Sequence, residues 1–313
     1  MIRHALVLTA GLGTRLRPLT DVRAKPAIPV AGEPMIRRII RTLVAQGIDD
    51  LVMNLHHLPA TITSVVGDGR DLGAAVRYSW EPVIRGSAGG PRLARPIVGA
   101  ASFWIINGDT LTDVSCAALA EWHEASGARV TLALVPNLEY ERYGGVHLDD
   151  QQRVTMFTPR GPSSKGSYHY IGVQLADGGV FDAVPPGQAA SSIGGVYDVL
   201  LAASPGAVRG FVCDASFFDV GTVADYRRTH EAFGGAAGSP DPTPSAGKGT
   251  TIDSSARVTR SILWDDVRVG AGATIDECIV TDAVSVPADG AYHRSVLLRG
   301  DDQGPIAVPM SVS

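Results

Sequence analysis

The chain has 313 residues, 45% hydrophobic and 19% charged, which allows one large core and a smaller appendage. A net charge of −5 argues against a nucleic-acid-binding surface, and no apolar run approaches the ~20 residues that cross a bilayer. Cys116, Cys213 and Cys278 are isolated and fit neither a disulfide framework nor a thiolate metal site, so a reducing cytoplasm is the expected compartment.

The N-terminal run leads straight into glycines and lacks a small-residue cleavage site, so Ala5 to Thr9 reads as a first strand. A helix after Pro34 carries Met35, Ile36, Ile39, Ile40, Leu43 and Val44 on one face, with Gly47 as its cap. Strands are expected at Leu51 to Leu55, Ala75 to Ser79 and Phe103 to Ile106, and a helix at Ala60 to Val66. This alternation indicates an α/β fold with an open, mostly parallel sheet flanked by helices, whose ligands sit beyond the carboxyl ends of the strands. Further strands are expected at Val130 to Val135, Val146 to Leu148, Tyr168 to Leu175 and Phe217 to Val220. A helix from Val223 to Phe233 closes the domain.

A Gly, Pro, Ser and Ala-rich stretch at 233–249 reads as a linker. Beyond it the chain repeats every seventeen residues: Ile252, Val269 and Val286; Val258, Ile275 and Tyr292; Ile262, Ile279 and Val296; Leu263, Val280 and Leu297. Apolar residues recur at roughly six-residue steps within each copy, which suits a triangular parallel β-helix of about three coils. The expected division is 1–232 catalytic, 233–249 linker, 250–302 β-helix and 303–313 disordered end. The tail is expected to serve assembly, as a homo-oligomer, with the chemistry confined ahead of the linker.

Residues 1–41 hold eight Arg or Lys against only Asp21 and Glu33, which suggests a local anionic ligand. The segment Gly11 to Pro26 follows the first strand. Gly11 and Gly13 let backbone N–H groups approach phosphate oxygens, Arg15 offers a planar fork, and Lys25 a point charge. The Walker spacing and the third glycine of a dinucleotide fingerprint are both missing.

The runs LTAGLGTRLRPLT and KPAIPVAGEP, followed by GSAGGPRLA, NGDT, YGGVHLD and FFDVGTVADY, resemble the sugar-phosphate nucleotidylyltransferase family over nearly the whole chain. The resemblance implies a Rossmann-like catalytic domain and a left-handed β-helix. It implies a reaction in which a sugar 1-phosphate attacks the α-phosphorus of an NTP, giving NDP-sugar and pyrophosphate. Asp109 and Asp219 would hold Mg²⁺, with Arg15, Lys25 and Asp109 catalytic. Thr9, Ala10, Gly11, Gly13, Thr14, Glu81, Gly86, Ser87, Ala88 and Gly89 would bind the nucleotide. Gly144, Gly145, Arg160, Tyr170 and Gly172 would bind the sugar phosphate.

Glu81, just before GSAGG, could accept paired donors from guanine, which leans the nucleotide to GTP, then UTP or dTTP. The family's Glu-Glu-Lys-Pro is replaced by Phe157-Thr158-Pro159-Arg160-Gly161, so the acidic ligand for the sugar hydroxyls is missing. The competing reading is a non-catalytic sugar-nucleotide-binding regulator, which would be expected to have lost Asp109, Asp219 or Lys25.

Overall fold

The computed structural model describes residues 2–234, 245–301 and 304–310. They form two compact units: residues up to Gly11 with Ile36–Asp219, and Leu12–Met35 with Val220 onward.

In the first unit the strands are β1 (His4–Leu8), β2 (Asp50–Leu55), β3 (Ala75–Trp80), β4 (Ser102–Asn107), β5 (Thr110–Thr112), β6 (Val130–Pro136), β7 (Gly145–Leu148), β8 (Val154–Thr158), β9 (Tyr168–Asp177), β10 (Val208–Val212) and β11 (Phe217–Asp219). The nine-stranded sheet runs β8-β7-β9-β4-β1-β2-β3, with β6 paired to β9 and β10 to β6. β1 lies between β4 and β2, parallel to both, and Ala5, Leu6 and Val7 are fully buried. That is why its apolar run is continuous rather than alternating.

The parallel part of the sheet comprises β3, β2, β1 and β4, together with the β10–β6 pair. Helices α1 (Met35–Ala45), α2 (Pro59–Val66) and α3 (Gly86–Val98) lie between β1, β2, β3 and β4 in sequence, and such crossovers permit parallel pairing. β7 and β8 are joined by a short turn, which allows only antiparallel pairing, and β9 runs antiparallel to β4, β6 and β7. Leu6, Phe103, Ile105, Leu132, Leu134, Phe181 and Tyr197 belong to one buried cluster. Helices α4 (Cys116–Ser126) and α5 (Tyr197–Ala203) complete this unit.

Gly86, Ser87, Ala88 and Gly89, expected among the nucleotide-binding residues, form the first turn of α3. A Cβ at Gly86 or Gly89 would come within 2.7 Å of Ala190 O or 2.6 Å of Gln188 O. The glycines let the helix start sit against the 188–190 segment, despite Pro91 and Pro96 within it.

In the second unit α6 (Val223–Gly234) buries Tyr226, whose hydroxyl donates to Pro29 O at 2.7 Å. The seventeen-residue alignments are the rungs of the repeat: Ile252 pairs with Val269 and that with Val286, Leu263 with Val280 and that with Leu297. The same period sets the corners, where Arg260, Glu277 and Arg294 share a left-handed backbone, as do Gly249, Asp266 and Ala283. Val267, Ala273, Ile275 and Val284 fill the interior.

Two boundaries move. The helix begins earlier, at Ser245–Ala246, which pairs with Ile262–Leu263; residues 235–244 of the expected linker lie outside the described residues. The expected disordered end at 303–313 contains a strand, Gly304–Pro309, antiparallel to Ser295–Asp301. Val308 opposite Val296 and Ile306 opposite Leu298 supply apolar cross-strand pairs, so the chain covers that strand edge itself.

Candidate active site

β1 and β4 end side by side. Gly108 donates its N–H to Leu8 O at 2.9 Å, and a Cβ there would lie 2.6 Å from that oxygen. This close approach explains the glycine between Asn107 and Asp109. β11 pairs antiparallel with β5, placing Asp219 directly opposite Thr110 and thus one position from Asp109. Asp109 and Asp219, both half-buried and 110 residues apart in sequence, therefore lie on neighbouring stretches of backbone. Two carboxylates are what magnesium takes when phosphate oxygens and water complete its shell. Among the described residues no set of three or more His, Cys, Asp or Glu forms a closed metal cage. The chemistry of two carboxylates would suit an ion whose remaining ligands are phosphate oxygens and water.

The end of β1 is rigidly held. Thr9 N–H donates to Asn54 Oδ1 at 2.7 Å, and Thr9 Oγ1 donates to Asn54 O. Ala10 is buried, while a Cβ at Gly11 would meet nothing within 4 Å. The chain's own packing therefore does not require the glycine there.

Glu81 requires a correction. It is fully buried; Oε1 accepts from Asn54 Nδ2 at 2.7 Å and Oε2 from the Arg85 N–H at 2.8 Å. Both oxygens are engaged and neither is exposed to a base. The order along the chain gave Glu81 its place but could not say which way the carboxylate faces. Its role is to fix Asn54, which fixes Thr9. Glu81→Gln would set an amide donor against one of two donors, costing about 1–3 kcal/mol. We expect a lower urea midpoint and an unchanged GTP-to-UTP preference; a shifted preference would restore the base-reading role. The nearby helix start is also engaged internally: Ala88 and Gly89 N–H both donate to Ala190 O, and Ser87 Oγ accepts from Ser192 N–H at 2.9 Å.

On the sugar-phosphate side, the structure separates packing glycines from exposed and polar residues. A Cβ at Gly145 would strike the hydroxyls of Ser167, Thr158 and Ser164, and one at Gly172 would strike Asn107. Both glycines are demanded by the protein itself; Gly172 also sits at the irregularity in β9 with a left-handed backbone. Gly144 and Arg160 are exposed. The Tyr170 hydroxyl is buried and has no hydrogen-bond partner among the described residues. Burial, with Tyr197 and Asp109 nearby, holds its phenol well above the ordinary value, so it stays a neutral donor.

Sequence reasoning missed a cavity of about 350 Å³ lined by Asn137, Leu138, Glu139, Tyr143, His169 and Phe217. Tyr143 stacks on His169 at 4.0 Å between ring centroids, and His169 lies 5.1 Å from Phe217. These aromatics come from three separate stretches, and no spacing signals the cluster. Burial pushes His169 down to about 4, below the ~6.5 of an unfolded chain. Above pH ~6.5 the ring is neutral in both states. As pH falls from there toward about 4, the unfolded chain gains a proton that the fold refuses. Stability should drop by up to about 3 kcal/mol across that window. The acid-side fall of the urea midpoint should shrink in His169→Gln; an identical pH profile would remove this contribution.

In the second unit, Gly13 has φ +60 and a Cβ there would lie 2.7 Å from Thr20 Cγ2, while Thr20 Oγ1 donates to Gly13 O at 3.0 Å. Gly13 thus shapes the turn. Thr14 and Arg15 are exposed beside buried Leu16. Lys25 is 8% exposed and opens the tight turn Lys25–Ala27.

The family model described as nucleotidyl transferase matches residues 4–234, and one described as GlmU-like C-terminal hexapeptide matches 246–296. A mannose-1-phosphate guanylyltransferase of Mycobacterium tuberculosis is 31% identical over 298 residues, covering 93% of this chain and 83% of that protein. A D-glycero-alpha-D-manno-heptose 1-phosphate guanylyltransferase of Aneurinibacillus thermoaerophilus is 32% identical over 228 residues, covering 73% and 97%. The crystal structure of HddC from Yersinia pseudotuberculosis is similar in fold, with a TM-score of 0.64 at 22% identity over 73% of this chain and 98% of that one.

Proposed function

This chain belongs to the nucleotidyl transferase family, and from that premise we propose that it makes an NDP-sugar from a sugar 1-phosphate and GTP. A phosphate oxygen of the sugar 1-phosphate bonds to the α-phosphorus of the nucleotide as the bond to the β-phosphate breaks, and pyrophosphate leaves. No protein nucleophile is needed, because the sugar phosphate is already ionised, and catalysis is positioning plus electrostatics. The observation that carries the reading is the β5–β11 register, which sets Asp219 next to Asp109 at the end of β4. These two residues would hold Mg²⁺, which when bound neutralises charge on the phosphates and orients them.

The chain's own groups have separate tasks. Thr9, Ala10 and Gly11 present backbone to the nucleotide from the end of β1, with Gly11 open to it. Gly13 and Thr14 continue that loop. Arg15 and Lys25 act on the departing pyrophosphate and the α-phosphate. Arg160 and the Tyr170 hydroxyl bind the sugar phosphate, Tyr170 because a buried donor without a partner awaits an acceptor. GTP rests on the two guanylyltransferase relatives described above, since Glu81 no longer argues for it. The α3 start is reached by the nucleotide only through atoms outside its internal hydrogen bonds.

No described helix is long and apolar enough to cross a membrane, and we place the enzyme in the cytoplasm, where NTPs are supplied. A homo-oligomer would rest on the β-helix strand edges other than the one covered by Gly304–Pro309.

Pyrophosphate release from GTP, UTP, dTTP and ATP against mannose 1-phosphate, heptose 1-phosphates and glucose 1-phosphate, with Mg²⁺, tests the proposal. GTP with a manno-configured sugar should be fastest. UTP or dTTP preference would overturn the base assignment. NDP-sugar binding without turnover for any pair would favour the regulatory alternative.

A further inference from the structure

We propose that the β-helix holds the Lys25 turn in place through Arg23, which is a positioning residue for Lys25. The guanidinium spans two coils. Nε and Nη2 each donate at 2.6 Å to the two oxygens of Asp282, and Nη2 also donates at 2.6 Å to Asp265 Oδ2. Its charged carbon lies 5.4 Å from the centroid of the Trp264 ring, and the Arg23 side chain is only 10% exposed. Asp265 and Asp282 are seventeen residues apart and occupy equivalent positions on successive coils, with Asp265 N–H donating to Asp282 Oδ1 at 3.2 Å. Stacked like charges repel, and a cation that bonds to both carboxylates relieves that repulsion. Arg23 supplies it from 242 residues upstream.

The other side of the turn is held as well. Tyr226 donates to Pro29 O while accepting from Trp264 Nε1 at 3.0 Å, and Trp264 is fully buried. Arg23 Nη1 reaches Ala27 O at 3.4 Å, across the Lys25–Ala27 turn itself. The Lys25 backbone is thus tied on both sides to residues of the coil carrying Trp264 and Asp265. A bidentate fork with a third bond fixes direction as well as distance, which a lysine at position 23 could not do.

This inference rests on the reading of Lys25 as a phosphate ligand. Full-length wild type, Arg23→Gln, Asp265→Asn/Asp282→Asn, Lys25→Ala and Arg23→Gln/Lys25→Ala would be compared by amide exchange and by steady-state kinetics with GTP, mannose 1-phosphate and Mg²⁺. Both clamp variants should exchange about tenfold faster at residues 24–30, with β1 unchanged. Arg23→Gln should lower kcat by roughly 10- to 10²-fold with little change in KM for GTP. In the Lys25→Ala background the same substitution should cost almost nothing more, because what Arg23 holds is gone. Equal losses in both backgrounds, or unchanged exchange, would overturn the positioning role. Lys25→Ala with near-normal kcat would instead sink the phosphate role of Lys25, and with it the route by which Arg23 acts.

Discussion

Asp109→Asn and Asp219→Asn are each expected to lower turnover by roughly 10²- to 10³-fold, with a double variant little worse than either. The argument runs from register to charge. Asp219 faces Thr110 across the β5–β11 pair, one position from Asp109, and on the proposed reading the two carboxylates share one cation. Losing one leaves a single formal charge against a dication and a polyphosphate, and the ion loses its fixed position on the nucleotide. Asparagine keeps shape and a neutral oxygen, so the fold should hold, which circular dichroism would check. Raising Mg²⁺ should recover part of the single-variant loss by mass action. Multiplicative losses in the double variant would mean that the carboxylates do separate jobs. Full activity in EDTA would remove the metal from the mechanism.

What was legible in the sequence follows from what is local or periodic. β1 and β4 could be found because buried parallel strands are short apolar runs closed by glycine, and their ends marked Gly11 and Asp109. The tail was legible because seventeen-residue spacing survives in every rung, from Ile252 to Val286 and from Leu263 to Leu297. α3 was not, because Gly86, Gly89, Gly90, Pro91 and Pro96 carry poor helix propensity. Their reason is tertiary: Gly90 would meet Glu81 Oε1 at 2.8 Å if it had a Cβ. The same contact shows why Glu81 was misread. Its distance from GSAGG along the chain is short, but the carboxylate faces Asn54 and the Arg85 N–H.

Of the long-range features, the clamp was the least visible. The charged partners of Arg23 lie more than 240 residues along the chain, where no local pattern could point to them. Asp265 and Asp282 look like ordinary polar corners of a repeat. Only the folded chain shows that the segment Leu12–Met35 belongs with the residues after Val220 rather than with the strand it follows.

On that grouping we expect the tail to matter for the chemistry as well as for assembly. Ending the chain after Gly234 should lower kcat by about 10²-fold or more and also destabilise the protein. The truncation uncovers Tyr226, which is fully buried, and strips both carboxylates from Arg23, which is 9% exposed. A buried cation left without its partners is strongly destabilising, and a turn whose supports have gone no longer holds Lys25 in one orientation. Because a truncated chain can fail by unfolding alone, a smaller change carries the argument. Trp264→Ala in the full chain removes the ring beneath Arg23 and the donor to Tyr226, at a cost of about 3–5 kcal/mol. Assayed well below its melting temperature, that variant should remain folded and still turn over more slowly, with the loss in kcat rather than in KM for GTP. Wild-type kcat in both the truncation and the Trp264 variant would return the tail to a role in assembly alone.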